Sequence, residues 1–202
     1  VLTGDGGDEM FGGYDRYLKL LRLERLGRMR GGIACALGLA GGLLPHSRGR
    51  RLRQVGERLR LPFARRYLSG VALMRPALAR ALNPAAGGDA HYDLPCLSGD
   101  VAALEAGVSP LDRAIAIDLQ SYLPDDILVK VDRMSMANSL ETRAPFLSPE
   151  LADFALRLPD SLRVRGNRGK HLLRSVAAGW LPPRVMAKPK QGFAIPLAQW
   201  LR

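Results

Sequence analysis

The sequence predicts an α/β fold that is mostly α-helical, and three observations predict it. Val1-Leu2-Thr3 reads as the end of a buried strand running into a glycine- and acid-rich corner, Gly4-Asp5-Gly6-Gly7-Asp8-Glu9, and ligands in open α/β sheets bind at such corners. Leucines recur among arginines at helical spacing after Tyr14. The second half of the chain carries complete helix start and stop signals. With 202 residues, 47% of them hydrophobic, the chain can bury a core and reads as globular.

The corner holds the chemistry. Asp5, Asp8, Glu9 and Asp15 lie among five glycines, more negative charge than a turn needs. Glycine permits positive φ and close backbone approach, and like charges packed in such a loop repel unless something positive is bound. The pattern suits a hard cation such as magnesium, which takes oxygen ligands and keeps waters and substrate phosphates, or a cationic substrate. A capped helix start accounts for one of the acids, with Asp5 or Asp8 as cap and Glu9 favourable to the helix dipole. The dinucleotide pattern Gly-x-Gly-x-x-Gly fails, because Glu9 stands where the third glycine belongs.

A helix is expected from Met10 to Leu23, and Tyr14 to Arg30 sets leucines 18, 21, 23 and 26 on a stripe with a basic solvated face. Gly31 to Leu44 is apolar and rich in small residues, a helix packed closely on a neighbour and ended by Pro45. It is shorter than the ~20 residues needed to cross a bilayer. Between His46 and Arg66 stand eight arginines, read as a solvated helix face, with a phosphate-binding patch as the alternative. Leu68 to Leu82 reads as helix, and residues 83–100, rich in Gly, Pro and Asp, as a flexible loop.

Ser109-Pro110-Leu111-Asp112 joins an N-cap serine, a proline at the first helical position and an acid two residues further on, a strong helix start. Leu111, Ile115, Leu119 and Tyr122 then share one face. Pro124-Asp125-Asp126 is expected to stop that helix and cap the next, Ile127 through Met136. Ser148-Pro149-Glu150 opens a third, ending before Pro159. Gly166-Asn167-Arg168-Gly169 reads as a tight turn before a short helix, His171 to Ala178, closed by Gly179 and Pro182-Pro183.

Composition narrows the function classes. The net charge is +11, from 30 basic residues of which five are lysine, and such a balance raises nucleic acid as a partner. Aromatics are only 6%, and no helix-turn-helix, zinc-finger or RNA-binding signature is present, so stacking platforms and groove-reading elements are missing. Surface arginine without a specific nucleic-acid partner is the reading. Cys35 and Cys96 are far apart with no paired spacing, which argues against a metal cluster and a disulfide framework; Cys35 reads as a small core residue. No signal peptide and no membrane partner are expected, and the setting reads as cytoplasmic and reducing.

Two further groups stand out. Lys130, Asp132, Arg133, Glu141 and Arg143 fall close together; most read as surface ion pairs worth little each. Glu141 and Arg143 precede the buried-looking run Ala144-Pro145-Phe146-Leu147 and are expected to point into a cavity wall. Lys170 and Lys190 lie beside glycine-containing turns in a chain that otherwise uses arginine, which suggests a point charge where a planar fork would not serve.

The stretch Leu2 to Tyr14, LTGDGGDEMFGGY, resembles the glycine-acid motif of the synthetase domain of glutamine-hydrolysing asparagine synthetases. Two further blocks agree in order: Lys130 to Leu151, KVDRMSMANSLETRAPFLSPEL, and GKHLLR followed by KPKQGFAIP, Gly169 to Arg174 and Lys188 to Pro196. The resemblance implies an adenine-nucleotide α-hydrolase-like (ATP-pyrophosphatase) synthetase domain. It implies ATP and Mg2+ as cofactors and aspartate, ATP and glutamine-derived ammonia as substrates. Aspartate would become asparagine through a β-aspartyl adenylate. By the same resemblance Asp5 and Glu141 form the proton-accepting pair, Lys190 stabilises charge at the α-phosphorus and Asp8 holds magnesium. Gly4, Gly6, Gly7, Arg143 and Lys170 line the nucleotide and substrate site.

Many relatives carry glutamate where this chain has Asp5, a mark of subfamily. The family's pyrophosphate-binding loop, Ser-Gly-Gly-x-Asp-Ser, occurs nowhere in the 202 residues, nor does the glutaminase domain. Residues 1–202 therefore read as the C-terminal part of one synthetase domain, expected to be inactive alone and to work with an N-terminal glutaminase and pyrophosphate-loop segment. Three alternatives stay open: a homodimer, an amidotransferase acting on another carboxylate, and a stand-alone basic helical interaction or nucleic-acid-binding protein.

Overall fold

Glycine placement decides where the first helices begin and end. The structure, a computed structural model, describes residues 1–72, 76–84, 107–188 and 197–201. Gly6, with φ 84°, opens a one-turn helix α1, Gly7–Met10, and Gly12, with φ 66°, lies just beyond its end. The helix expected to run from Met10 to Leu23 is therefore divided, since a left-handed residue has no place inside an α-helix. Helix α2 covers Asp15–Glu24, and a 3-10 turn, Gly27–Met29, leads to α3, Arg30–Leu43. Pro45 ends that apolar segment as expected, and α4 follows, His46–Arg60.

The single helix expected over Leu68–Leu82 is two, α5, Phe63–Val71, and α6, Pro76–Leu82, because the backbone at Ala72 is extended, with φ −60° and ψ 128°. Ser109 opens α7, Pro110–Gln120, its hydroxyl accepting from the Asp112 N–H at 3.0 Å. The stop expected at Pro124 is a wider π turn, Leu123–Leu128, that runs on into α8, Val129–Met136. Pro124 sits in the first turn of that element, where a missing N–H costs nothing. A 3-10 turn, Pro145–Leu147, precedes α9, Pro149–Leu156, which Ser148 caps as expected, and α10, Asp160–Arg163.

The chain forms two units, Val1–His171 and Leu172–Arg202. In the second lie most of α11, His171–Ala177, then α12, Pro183–Met186, and α13, Leu197–Trp200. There Arg174 donates to the Met186 carbonyl at 2.8 Å, joining α11 to α12. Among the described residues the only β pairings are two isolated bridges, Leu2 with Arg143 in parallel and Arg165 with Arg168 antiparallel. The helical prediction therefore holds, while the strand side of the fold reduces to one parallel bridge. Leu2, expected in a buried strand, is 75% exposed, because a single segment flanks it. The predicted loop at 83–100 lies, from residue 85 on, outside the described residues.

The core of the first unit is where α2, α5 and α7 present their apolar stripes to one another: Tyr17, Leu20, Phe63, Tyr67, Leu111, Ala114, Ile115 and Ile117 are buried together. At its centre is a charge. Asp118, 1% exposed, accepts from the Arg16 guanidinium at 2.8 Å, from the Tyr67 hydroxyl at 2.6 Å and from the Tyr17 hydroxyl. Burial and the Asp118 charge push both tyrosines well above the usual phenol range, so they remain donors. Burial works against the Arg16 charge, but Tyr67 and Asp118 outweigh it and raise its pKa.

Helices α3 and α4 form a hairpin with backbones in near contact. A Cβ on Gly49 would lie 2.4 Å from the Gly41 carbonyl oxygen, and one on Gly56 would lie 2.8 Å from that of Ala34. The close packing read from the small residues of α3 is thus present. Cys35 is exposed, not in the core as expected, since the buried positions of α3 are Ala34 and Gly41. Glu24 ties the hairpin to the body, binding Arg30 at 2.6 Å and Arg66 at 2.7 Å. Arginines 48, 50, 51, 53, 58 and 60 are exposed, as a solvated face requires, whereas Arg66 is buried against Glu24.

Asp118→Ala leaves Arg16 and two tyrosine hydroxyls without their shared acceptor. Loss of one partner of a buried ion pair costs about 3–5 kcal/mol, and the urea midpoint is expected to fall accordingly with little change in slope. Gly49→Ala is expected to cost about 1–3 kcal/mol by forcing the hairpin apart, read in the same measurement.

Candidate functional site

The glycine-acid loop is held from four places further along the chain. The Arg143 N–H donates to the Val1 carbonyl and the Thr3 N–H to the Arg143 carbonyl, both at 2.8 Å. A Cβ on Gly6 would sit 2.2 Å from Leu147 Cδ2, and one on Gly7 3.2 Å from the Phe146 ring. A Cβ on Gly12 would meet Val164 Cγ2 at 3.0 Å. Finally, the Lys170 N–H donates to the Phe11 carbonyl at 3.1 Å, and a Cβ on Gly169 would lie 2.2 Å from the Gly12 carbonyl oxygen. Gly6, Gly7 and Gly12 are thus places of contact with other segments, which a side chain would occupy.

The acids take different parts. Glu9 is buried and accepts from the Tyr14 hydroxyl at 2.5 Å. Burial raises its pKa, and the Tyr14 hydrogen bond opposes the rise without cancelling it. Tyr14 is packed beneath the Arg16 guanidinium, 3.9 Å from its ring centroid, and that guanidinium binds Asp118. Glu9 therefore links the loop to the core. Asp5 and Asp8 are half-buried. Asp8 Oδ1 lies 3.2 Å from the Lys170 ammonium, which joins the two residues that sequence reasoning assigned to metal and phosphate.

Arg143 reaches the loop through its main chain. Its guanidinium pairs with Glu141, and the two side chains are 76% and 69% exposed. The expectation that they point into a cavity wall is corrected, because the parallel register sets Phe146 and Leu147, not Glu141, against Gly6 and Gly7. The run after them is only partly buried. Gly4 is exposed, and a Cβ there would meet nothing within 4 Å, whereas Gly6 and Gly7 are buried. Lys190 lies outside the described residues. Sequence reasoning passed over Gly13, Glu9 and Tyr14 as site residues; the pair Gly12-Gly13, two glycines together inside an expected helix, was the signal available for Gly13.

Among the described residues no group of three or more His, Cys, Asp or Glu gathers to hold a metal. Asp8 already faces the Lys170 ammonium, and a magnesium held through that one carboxylate would need its remaining ligands from waters and phosphates. Among the described residues no helix is long and apolar enough to cross a membrane.

Because burial raises the Glu9 pKa above its ordinary 4.5, the folded state binds the proton more tightly than the unfolded one. The stabilisation this brings is complete below pH 4.5 and is lost as pH rises through the folded value. Glu9→Gln is expected to flatten that loss in urea titrations taken from pH 4 upward. Tyr14→Phe leaves the carboxyl without its donor and is expected to cost about 1–3 kcal/mol.

The chain matches the family model described as asparagine synthase over residues 1–202. It is 32% identical over 206 residues to asparagine synthetase [glutamine-hydrolyzing] 1 of Bacillus subtilis (strain 168), covering all of this chain and 31% of that protein. It is 36% identical over 204 residues to putative asparagine synthetases [glutamine-hydrolyzing] of Mycobacterium bovis and Mycobacterium tuberculosis, again over its whole length and 30% of theirs. The chain thus spans about 30% of the length of these curated relatives. No solved structure matches it. A family match from end to end, on a chain whose glycine-acid loop is clamped by the other two blocks of the motif, means that this chain belongs to the asparagine synthase family.

Proposed function

We propose that this segment forms part of the synthetase site of an ATP-dependent enzyme that converts aspartate to asparagine with ammonia from glutamine. The observation that carries the reading is the meeting of Asp8 and Lys170 on the glycine-acid loop, a carboxylate and a point charge where a metal-bound polyphosphate needs both. The names of the relatives agree with it. The fold we propose is the ATP-pyrophosphatase type, completed by an N-terminal segment that brings the pyrophosphate loop and the glutaminase.

In this reading a side-chain oxygen of aspartate bonds to the α-phosphorus of ATP while the α–β bridging bond breaks, and pyrophosphate leaves. Ammonia then bonds to the activated carbonyl carbon, the bond to AMP breaks, and the surplus proton passes to Asp5, with Glu141 as its second carboxylate. In the described arrangement Glu141 faces Arg143, so that pairing requires Glu141 to turn toward the loop. Lys170 holds phosphate oxygens and Lys190 offsets charge at the α-phosphorus; Gly4, Gly6 and Gly7 let backbone approach the substrate. Asp8 would hold Mg2+, which supplies charge neutralisation on the pyrophosphate oxygens. Such chemistry is mostly positioning and electrostatics.

In the full-length protein that carries this segment, Lys190→Ala is expected to lower kcat for amide formation about a hundred- to thousandfold with the KM for ATP nearly unchanged. Lys190→Arg should rescue poorly, because a planar fork cannot take the ammonium's place. Glutaminase activity in the same variant serves as the folding control. Near-normal kcat in Lys190→Ala would remove that residue from the mechanism. Residues 1–202 alone, given ATP, Mg2+, aspartate and ammonia, are expected to release no pyrophosphate above background.

A further inference from the structure

We propose that the hairpin of α3 and α4 is a docking surface for an anionic lipid bilayer, which it meets edge-on, with α3 at the acyl boundary and α4 among the phosphates. None of the residues involved belongs to the site described above.

Helix α3 has one side committed to α4 and another turned to water. Ala34, Leu37, Gly38 and Gly41 lie against Gly49, Arg53 and Gly56 of α4. Gly32, Cys35, Ala36, Leu39 and Leu43 recur at helical spacing on the other side, and all five are exposed, Leu39 by 69% and Leu43 by 88%. Met29, just before the helix, is 70% exposed. From Gly31 to Pro45 there is no charged residue. A surface helix ordinarily sets polar side chains on the face it turns to water, and here that face is apolar throughout.

Helix α4 has the opposite composition. It holds six arginines, 48, 50, 51, 53, 58 and 60, against one acid, Glu57, and all six are exposed. Arg53 donates to the Gly41 carbonyl at 3.1 Å, which lays one guanidinium across the hairpin toward α3. Because glycines let the backbones touch, the helix axes are no further apart than the about 8–10 Å of ordinary helix pairs. The apolar face points away from α4, so sinking α3 by the about 5–10 Å of an interfacial helix brings the arginines down to the level of the phosphates. Guanidinium forks match phosphate oxygens there. Residues 31–44 are too short to span a bilayer, which sets no limit on lying along its surface.

Charge and area decide against other occupants. Nucleic acid would engage the arginines and leave the apolar face in water. A second copy would cover the apolar face and leave the arginines unmatched. The face is also narrow, since a helix of 14 residues is about 21 Å long and about 10 Å wide, well short of the about 800 Å² per partner of a stable protein interface. A bilayer with anionic headgroups presents apolar matter and phosphate side by side, in the order the hairpin requires.

The test floats the full-length protein with vesicles of phosphatidylcholine and phosphatidylglycerol in equal parts, and with phosphatidylcholine alone. Flotation is expected with the anionic vesicles, at least roughly tenfold above that with the neutral ones, and is expected to weaken as salt is raised. Two variants alter only exposed side chains: Leu39→Gln with Leu43→Gln, and Arg48→Gln with Arg50→Gln and Arg51→Gln. Each is expected to lower partition onto anionic vesicles roughly tenfold or more, with the urea midpoint unchanged as the control on folding. No flotation of the full-length protein would overturn the proposal, as would equal flotation with neutral vesicles. Wild-type binding by the leucine variant would reduce the contact to adsorption through charge and overturn it as well. A dimer seen by sedimentation without lipid and lost in the leucine variant, or duplex DNA binding in place of flotation, would assign the surface to a second copy or to nucleic acid instead.

Discussion

Asp118 takes hydrogen bonds from Arg16 and Tyr17 on α2 and from Tyr67 on α5, so one carboxylate on α7 fixes the positions of the two helices packed against it. A charge this deeply placed is unfavourable unless fully compensated, and that demand leaves little freedom in how the three helices meet. The constraint reaches the site, because the guanidinium that binds Asp118 also covers the ring of Tyr14, whose hydroxyl holds Glu9. The loop that carries Asp5 and Asp8 is thereby referenced to the core through polar contacts. Aromatic rings support the same line, with Tyr14 edge-on to both Tyr17 and Tyr122.

A comparable grip joins the start of α7 to α10. Arg163, 1% exposed, binds Asp160 at 2.8 Å and Asp112 at 2.5 Å, and the Ser109 hydroxyl that caps α7 also meets both carboxylates at 3.0 Å. One cap residue thus organises a helix start and a buried ion-pair network, which fixes where Val164 meets Gly12. The site loop lies between two networks of this kind, and its glycines fill the remaining space with backbone.

Signals that depend on neighbours in sequence were legible. Ser109 and Ser148 cap the helices they were expected to cap, Pro45 ends α3, and the small residues of α3 pack against a partner. Signals that depend on distant partners were not. The polar role of Asp118 could not be read from a helix that otherwise presents Leu111, Ile115 and Leu119 on one face, because its partners lie on α2 and α5. Gly12 broke a predicted helix through a backbone angle that Phe11 and Tyr14 gave no reason to expect. Cys35 was misplaced because Ala34 and Gly41, not Cys35, are the buried positions of α3 that meet α4. The motif singled out Asp8 and Lys170, and the structure brings their side chains together over Gly13. The exposure of Glu141 and Arg143 followed from register, which the sequence did not contain.

The restraints on the site loop have a consequence for biosynthesis. The loop occupies residues 4–13, yet the segments that hold it lie at 143, 146–147, 164 and 169–170. A chain emerging from the ribosome exposes the loop more than a hundred residues before its last clamp appears. Helices made of local contacts can form during that interval, but contacts that close a long stretch of chain must await both ends and carry the entropy of closing it. The loop's shape is thus fixed only once residues near 170 have been made, after the core residues up to Ile117. Ribosomal release of residues near 170, rather than collapse of the core, sets the earliest moment at which this part of the protein can bind anything.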